Sequence, residues 1–185
     1  AALSALQELA PKEPSGLVLT YLASALQKLP PGRLWRLAGS LAARDDFAAD
    51  RVLPTMIWYG IEPAVPQDPA GALACIAGSG MTKVSHYTAR RLAYELETDS
   101  ATVGALFTLA AKLSAAQRRA VLSGISQAFE GWSAVEAPAG WVGLREKLLA
   151  AGDPETRKLI ERIDVVFSGE GDLEKLRRIA GSGGK

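Results

Sequence analysis

The chain has 185 residues, of which 48% are hydrophobic and 22% charged. That composition is too apolar for disorder, and the length suits one sizeable domain better than two. With 21 basic and 20 acidic residues the net charge is +1, which gives no long-range attraction to nucleic acid or an anionic membrane.

Along the chain the dominant apolar period is helical, and strand-like alternation is nearly absent. Proline and glycine breakers divide it into helices expected at 2–10, 16–28, 33–44, 51–62, 69–77, 82–96, 100–112, 115–130, 140–151, 154–168 and 172–179. Asp68-Pro69 and Asp153-Pro154 each place an acid at the N-cap and proline at the first helical position, where its missing N–H is no loss. "SAAQ", Ser114 to Gln117, has capping-box spacing, and Ser15, Thr82 and Asp172 are further cap candidates. Leu17, Tyr21 and Ala25 form one apolar line; Leu53, Ile57 and Ile61 form another; Ile160, Ile163, Asp164 and Phe167 follow the same geometry. Trp132 and Trp141 flank the longest expected loop, "SAVEAPAG", and are expected to anchor it by packing.

The first helices of successive pairs begin near 16, 51, 82, 114 and 153, so the spacings are roughly 35, 31, 32 and 39 residues, close to helical-repeat periods. A two-helix unit cannot bury its apolar face alone, so neighbours must stack, and short connections favour antiparallel neighbours. The expected fold is all-α: an α-solenoid of antiparallel helix pairs of the HEAT/armadillo kind, with a globular helical bundle as the alternative. Residues 1–180 read as one domain and 181–185, "GSGGK", as a linker or added tail. The opening residue is alanine and no signal-peptide pattern follows, which suggests a piece of a longer protein. No apolar run is long enough to span a bilayer.

The chemistry-bearing residues are sparse. Cys75, in "ALACIAG", is the one cysteine and reads as a small core residue. One cysteine and one histidine, His86, cannot make a Cys/His zinc site, and no haem-attachment or EF-hand spacing occurs. GxGxxG, P-loop, GxSxG and HExxH motifs are absent. Arg44, Asp45, Asp46 and Asp50 cluster at a helix junction, where caps are the simpler reading than acid/base work. No catalytic residue, metal ligand or cofactor site is therefore assigned within the chain.

Two stripes remain. In "RVLPTMIWYGIEP", Leu53, Met56, Ile57, Gly60 and Ile61 share one face, while Thr55, Trp58, Tyr59 and Glu62 share the other. The second face suits a central helix packed on both sides, with an exposed recognition stripe as the alternative. In "MTKVSHYTARRLAYELE", Lys83, Tyr87, Arg90, Arg91 and Tyr94 form a basic stripe interleaved with aromatics. It could meet phosphate or carboxylate groups, or be a solvated face whose arginines pair with acids, Glu62 being one candidate. His86 lies beside this stripe with no arranged nucleophile.

"DRVLPTMIWYGIEPAV", followed by "DPAGALACIAGSGMTKVSHYTARRLA", resembles the HEAT-like helical segment of large planctomycete and verrucomicrobial proteins often called membrane-bound dehydrogenases. The features are the Leu-Pro before the helix, Trp58-Tyr59 with Ile61-Glu62-Pro63, the Asp68-Pro69 cap and Ala89-Arg90-Arg91. Ser85-His86-Tyr87 departs from that pattern, which is more basic and aromatic there. In such proteins a β-propeller resembling sorbosone dehydrogenase precedes the helical region, and a c-type cytochrome domain follows. The resemblance covers about 45 central residues. It implies a periplasmic or other extracytoplasmic location and a spacer role between redox domains, and it supplies no catalytic residue here.

The expected function is thus a non-catalytic scaffold or protein-interaction domain, its partners being other domains of the parent protein or a separate protein. The alternative is a HEAT-like nucleic-acid enzyme of the alkylpurine DNA glycosylase type, against which the net charge argues. A stand-alone enzyme would need converging polar groups, and Glu62 with Arg90 or Arg91 is the sole constellation to inspect.

Overall fold

Helix starts are fixed by local hydrogen bonds. The computed structural model describes residues 2–133, 135–150 and 153–167. Among these it forms ten α-helices and no strand: α1 (Ala2–Leu9), α2 (Gly16–Ala25), α3 (Pro31–Ala42), α4 (Leu53–Ile61), α5 (Pro69–Gly78), α6 (Thr82–Ala93), α7 (Ser100–Ala110), α8 (Ala115–Ala128), α9 (Trp141–Ala150) and α10 (Pro154–Phe167). Single 3₁₀ turns extend α2 over 26–28 and α4 over 62–64. The helix expected at 172–179, the Asp172 cap and the tail at 181–185 lie outside the described residues.

Ser15 Oγ accepts from the Val18 N–H (3.4 Å) and Asp68 Oδ1 from the Gly71 N–H (3.0 Å). Asp50 Oδ1 accepts from the Leu53 and Val52 N–H groups, each at 2.8 Å, and these donors hold its carboxyl below the usual range. Asp99 caps α7 through the Thr102 N–H (3.0 Å), a cap the sequence reading missed. Two expectations need correction. Thr82 is the first residue of α6 and caps nothing; Ser79 Oγ accepts from the Met81 N–H instead (3.0 Å). "SAAQ" forms half a capping box: Ser114 Oγ accepts from the Gln117 N–H (3.4 Å), but the Gln117 amide donates to the Ser79 carbonyl (2.8 Å). That buried bond ties the start of α8 to the α5–α6 turn.

The line Leu17–Tyr21–Ala25 does not face the core. Leu17 is 68% and Tyr21 69% exposed, whereas Leu19, Leu22, Ala23 and Leu26 are buried. α2 carries only Thr20 and Ser24 as small polar breaks in an otherwise apolar surface, so its own period does not choose the buried face; packing against α4 does. The other two lines hold: Leu53, Ile57 and Ile61 are buried, as are Ile160 and Ile163.

Contacts skip one helix at a time. α2 packs on α4, α4 on α6, α6 on α8 and α8 on α10; likewise α1 on α3, α3 on α5, α5 on α7 and α7 on α9. Most neighbours in sequence also touch, and the buried apolar residues form one continuous cluster. α6 and α8 make the most extensive contact. Gly124 permits it: a Cβ there would run into the His86 carbonyl oxygen and the Arg90 nitrogen. α1 is held by Arg44, whose Nη1 donates to the carbonyls of Ala10 (2.9 Å) and Glu13 (2.7 Å) while Nε and Nη2 grip Asp46 at 2.9 and 2.7 Å. Of the acids at that junction, then, Asp50 caps and Asp46 orients Arg44.

The loop after α8 turns at Gly131 (φ 85°) and Gly140 (φ 88°), values that favour glycine. It is anchored as the tryptophans imply. Trp141 is buried with its ring 4.9 Å from Phe107, and its Nε1–H donates to Asp164 (3.1 Å). Trp132 packs 5.5 Å from Phe129, and the Val135 N–H donates to the Val166 carbonyl (3.1 Å).

Candidate functional site

α6 buries Val84, Ser85, Thr88, Ala89, Leu92 and Ala93, so the helical period turns Lys83, His86, Tyr87 and Arg90 away from the core. Tyr87 meets Trp58 of α4 across the helix contact, with ring centroids 5.5 Å apart and planes 23° from parallel. The His86 ring stands edge-on to Tyr87, 5.1 Å away. On the opposite flank, the close approach at Gly124 brings α8 alongside, and His86 Nε2–H donates to Gln127 Oε1 (3.1 Å).

The result is a polar groove of about 270 Å³. α6 lines it with His86, Tyr87 and Arg90, α8 with Ser123, Ser126 and Gln127, and α10 with Leu159 and Arg162; Glu130, just past the end of α8, lines it as well. Its donors are underused. The hydroxyls of Thr20, Ser24, Ser40 and Thr108 all bond back to carbonyls of their own helices, but those of Ser123 and Ser126 bond to no group among the described residues. The same holds for the Tyr87 hydroxyl, the Gln127 amide N–H groups and the Arg162 guanidinium. Arg90 donates to a neutral partner, the Tyr94 hydroxyl, from Nε (3.1 Å) and Nη2 (2.9 Å).

A neighbouring cleft of about 510 Å³ between α8 and α10 differs in its charge pairing. There Arg119 reaches Asp153 (3.4 Å) and Lys158 reaches Glu155 (2.9 Å). Asp153 is held below the usual carboxylate range, first by the Thr156 hydroxyl and then by Arg119.

The residues singled out in the sequence separate. Tyr87 and Arg90 line the groove, and Trp58 stacks on Tyr87 without lining it. Tyr59, 55% exposed, turns to a different cleft of about 490 Å³ with Leu29, Leu34 and Pro63. Lys83 is exposed and lies outside the groove. The expected pairing of Glu62 with an α6 arginine does not form. Arg91 binds Glu95 one turn along its own helix (2.6 Å), and Glu62 is exposed without a partner among the described residues. Arg91, followed by the Thr98 hydroxyl, holds the Glu95 carboxyl low. A pair within one helix orders fewer degrees of freedom than one between helices, so the local partner prevails.

His86 bonds to a carboxamide, and neither Ser123 nor Ser126 hydrogen-bonds to it, so no nucleophile–base pair is assembled. Among the described residues no three His, Cys, Asp or Glu side chains gather to hold a metal ion, and no helix is long and apolar enough to cross a membrane. The sequence reading missed Ser123, Ser126, Gln127 and Arg162. The polar line along α8 was visible in the sequence, but its flanking by α6 and α10 was not. No family model, curated protein or solved structure matches the chain.

Proposed function

We propose that this chain is a non-catalytic helical-repeat interaction domain, an α-solenoid of antiparallel helix pairs that receives a partner on the outer side of α4, α6, α8 and α10. The observation that carries the reading is the unbroken run of side chains across those four helices. Trp58 touches Tyr87, His86 bonds to Gln127, and Arg162 closes the groove. The skip-one contacts support the stacked arrangement, because each pair then touches its neighbours alone. Following the resemblance at "DRVLPTMIWYGIEPAV", the partners would be a propeller and a c-type cytochrome domain in a larger exported protein, with the helical chain as spacer.

The test is biolayer interferometry of the immobilised chain against purified propeller and cytochrome domains from a protein of that family. Saturable binding to either one, weakened by Tyr87→Ala, supports the reading. Absence of binding to both, or binding indifferent to Tyr87, contradicts it. Duplex-DNA binding that weakens steeply with salt would instead favour the glycosylase-type alternative.

A further inference from the structure

We infer that the groove between α6, α8 and α10 binds a carboxylate side chain of an acidic peptide segment. This rests on the interaction-domain reading and adds the chemistry of what is bound. The groove is rich in unused donors: the hydroxyls of Tyr87, Ser123 and Ser126, the Gln127 amide and the Arg162 guanidinium have no acceptor among the described residues. Arg90 stands beside them, bonded to the neutral Tyr94 hydroxyl. An ionised carboxylate is an acceptor-only group with room for several donors, so it fits where a neutral amide or alcohol would leave most of them unpaired. His86 donates to Gln127 Oε1, which occupies the carboxamide acceptor and leaves its N–H groups to face an incoming ligand.

Charge and size select the source. Arg90 and Arg162 against Glu130 leave one net positive charge, sufficient for a single carboxylate. Of the cations lining the adjoining α8–α10 cleft, Arg119 and Lys158 are already paired with Asp153 and Glu155, and the third, Arg162, is the one it shares with the groove, so no further unpaired cation there extends the positive field into a track. A nucleic-acid backbone needs such a track and a basic excess, and the whole chain carries only +1. A volume of about 270 Å³ suits one or two side chains. Glu130, itself a lining residue, disfavours a second closely spaced anion there.

The probe is a fluorescein-labelled ten-residue peptide alternating glutamate and glycine, titrated with the full chain at low salt and read by fluorescence anisotropy. The variants are Arg162→Glu, Arg90→Gln, Ser123→Ala and Lys83→Glu; the last makes the same charge change on α6 outside the groove. A thermal melt followed by circular dichroism shows that each variant is folded. Saturable binding weakened about tenfold by either arginine change, as loss of a charge-assisted hydrogen bond predicts, and little affected by Lys83→Glu supports the inference. If Arg162→Glu unfolds the chain, the same comparison rests on Arg90→Gln and Ser123→Ala. Failure of the wild-type chain to bind the peptide, equal weakening by Lys83→Glu, or tighter binding of duplex DNA than of the peptide overturns it. If the peptide fails while domain binding still depends on Tyr87, the carboxylate assignment falls and the interaction reading stands.

Discussion

The Trp58 indole of α4 stacks on the Tyr87 ring of α6 with centroids 5.5 Å apart and planes 23° from parallel. This contact joins two helices that are not consecutive in the chain, since α5 lies between them. It is packing at a partly open surface, because each residue is half-buried. A double-mutant cycle measures it. Trp58→Ala and Tyr87→Ala should each destabilise the fold, and the double variant should lose less than the sum by about 0.5–1.5 kcal/mol, the coupling typical of an aromatic pair. Urea denaturation provides the readout, and strictly additive losses would show that the rings do not interact in solution.

Two glycines separate backbone propensity from packing. A Cβ at Gly124 meets the His86 carbonyl, whereas one at Gly39 in α3 meets nothing within 4 Å. Gly39→Ala should stabilise by about 0.5–1 kcal/mol, the ordinary helix-interior gain. Gly124→Ala should destabilise by about 1–3 kcal/mol, because α8 must back away from α6. The same retreat should break the His86–Gln127 bond and weaken peptide binding at the groove. Chemical denaturation of both variants checks the opposite signs.

Acid should erode the helix caps in a predictable direction. The Asp99 carboxyl lies below its usual range because it accepts from the Thr102 hydroxyl and then from the Thr102 N–H. A lowered folded-state value means stability that is fully present above the unfolded value, about 3.9, and that disappears as pH falls through the folded value. Asp99→Ala should therefore cost about 1 kcal/mol near neutral pH. The gap from wild type should close as pH falls below about 3.9. Melting temperatures of both proteins between neutral pH and strong acid give the comparison; a gap that widens toward acid contradicts the assignment.

Cys75 should be inert in the folded chain. It is buried in α5, and burial pushes its thiol up to about 12. Without thiolate there is no nucleophile at neutral pH. Ellman's reagent should react only as fast as the protein opens, and fully in denaturant. Fast reaction under native conditions would place Cys75 at a surface.

Much of the helix plan was legible because caps and breakers are local. Asp68-Pro69 and Ser15 start helices where the sequence puts them. What was illegible was orientation. Leu17 and Tyr21 look like core residues, but α2 is apolar over most of its surface, and only α4 decides which side is covered. Trp58 and Tyr59 are adjacent, and about 100° of helical rotation sends one to Tyr87 and the other to a separate cleft. Arg91 looked available to Glu62, yet Glu95 was closer along the same helix. Ser123 and Arg162 carry no motif; they line one groove only because α8 and α10 pack side by side.

The central proposal, alternate helices stacked in an open row, is tested most directly by a distance between the first and last helices of that row. Spin labels at Tyr21→Cys on α2 and Glu161→Cys on α10 occupy exposed positions, and buried Cys75 should stay unlabelled. Four interaxial steps of about 8–10 Å predict a pulsed electron–electron resonance distance near 32–40 Å, adjusted for the label arms. A distance below about 20 Å, two such steps, would mean that the helices close around a shared centre, and the repeat scaffold would be wrong.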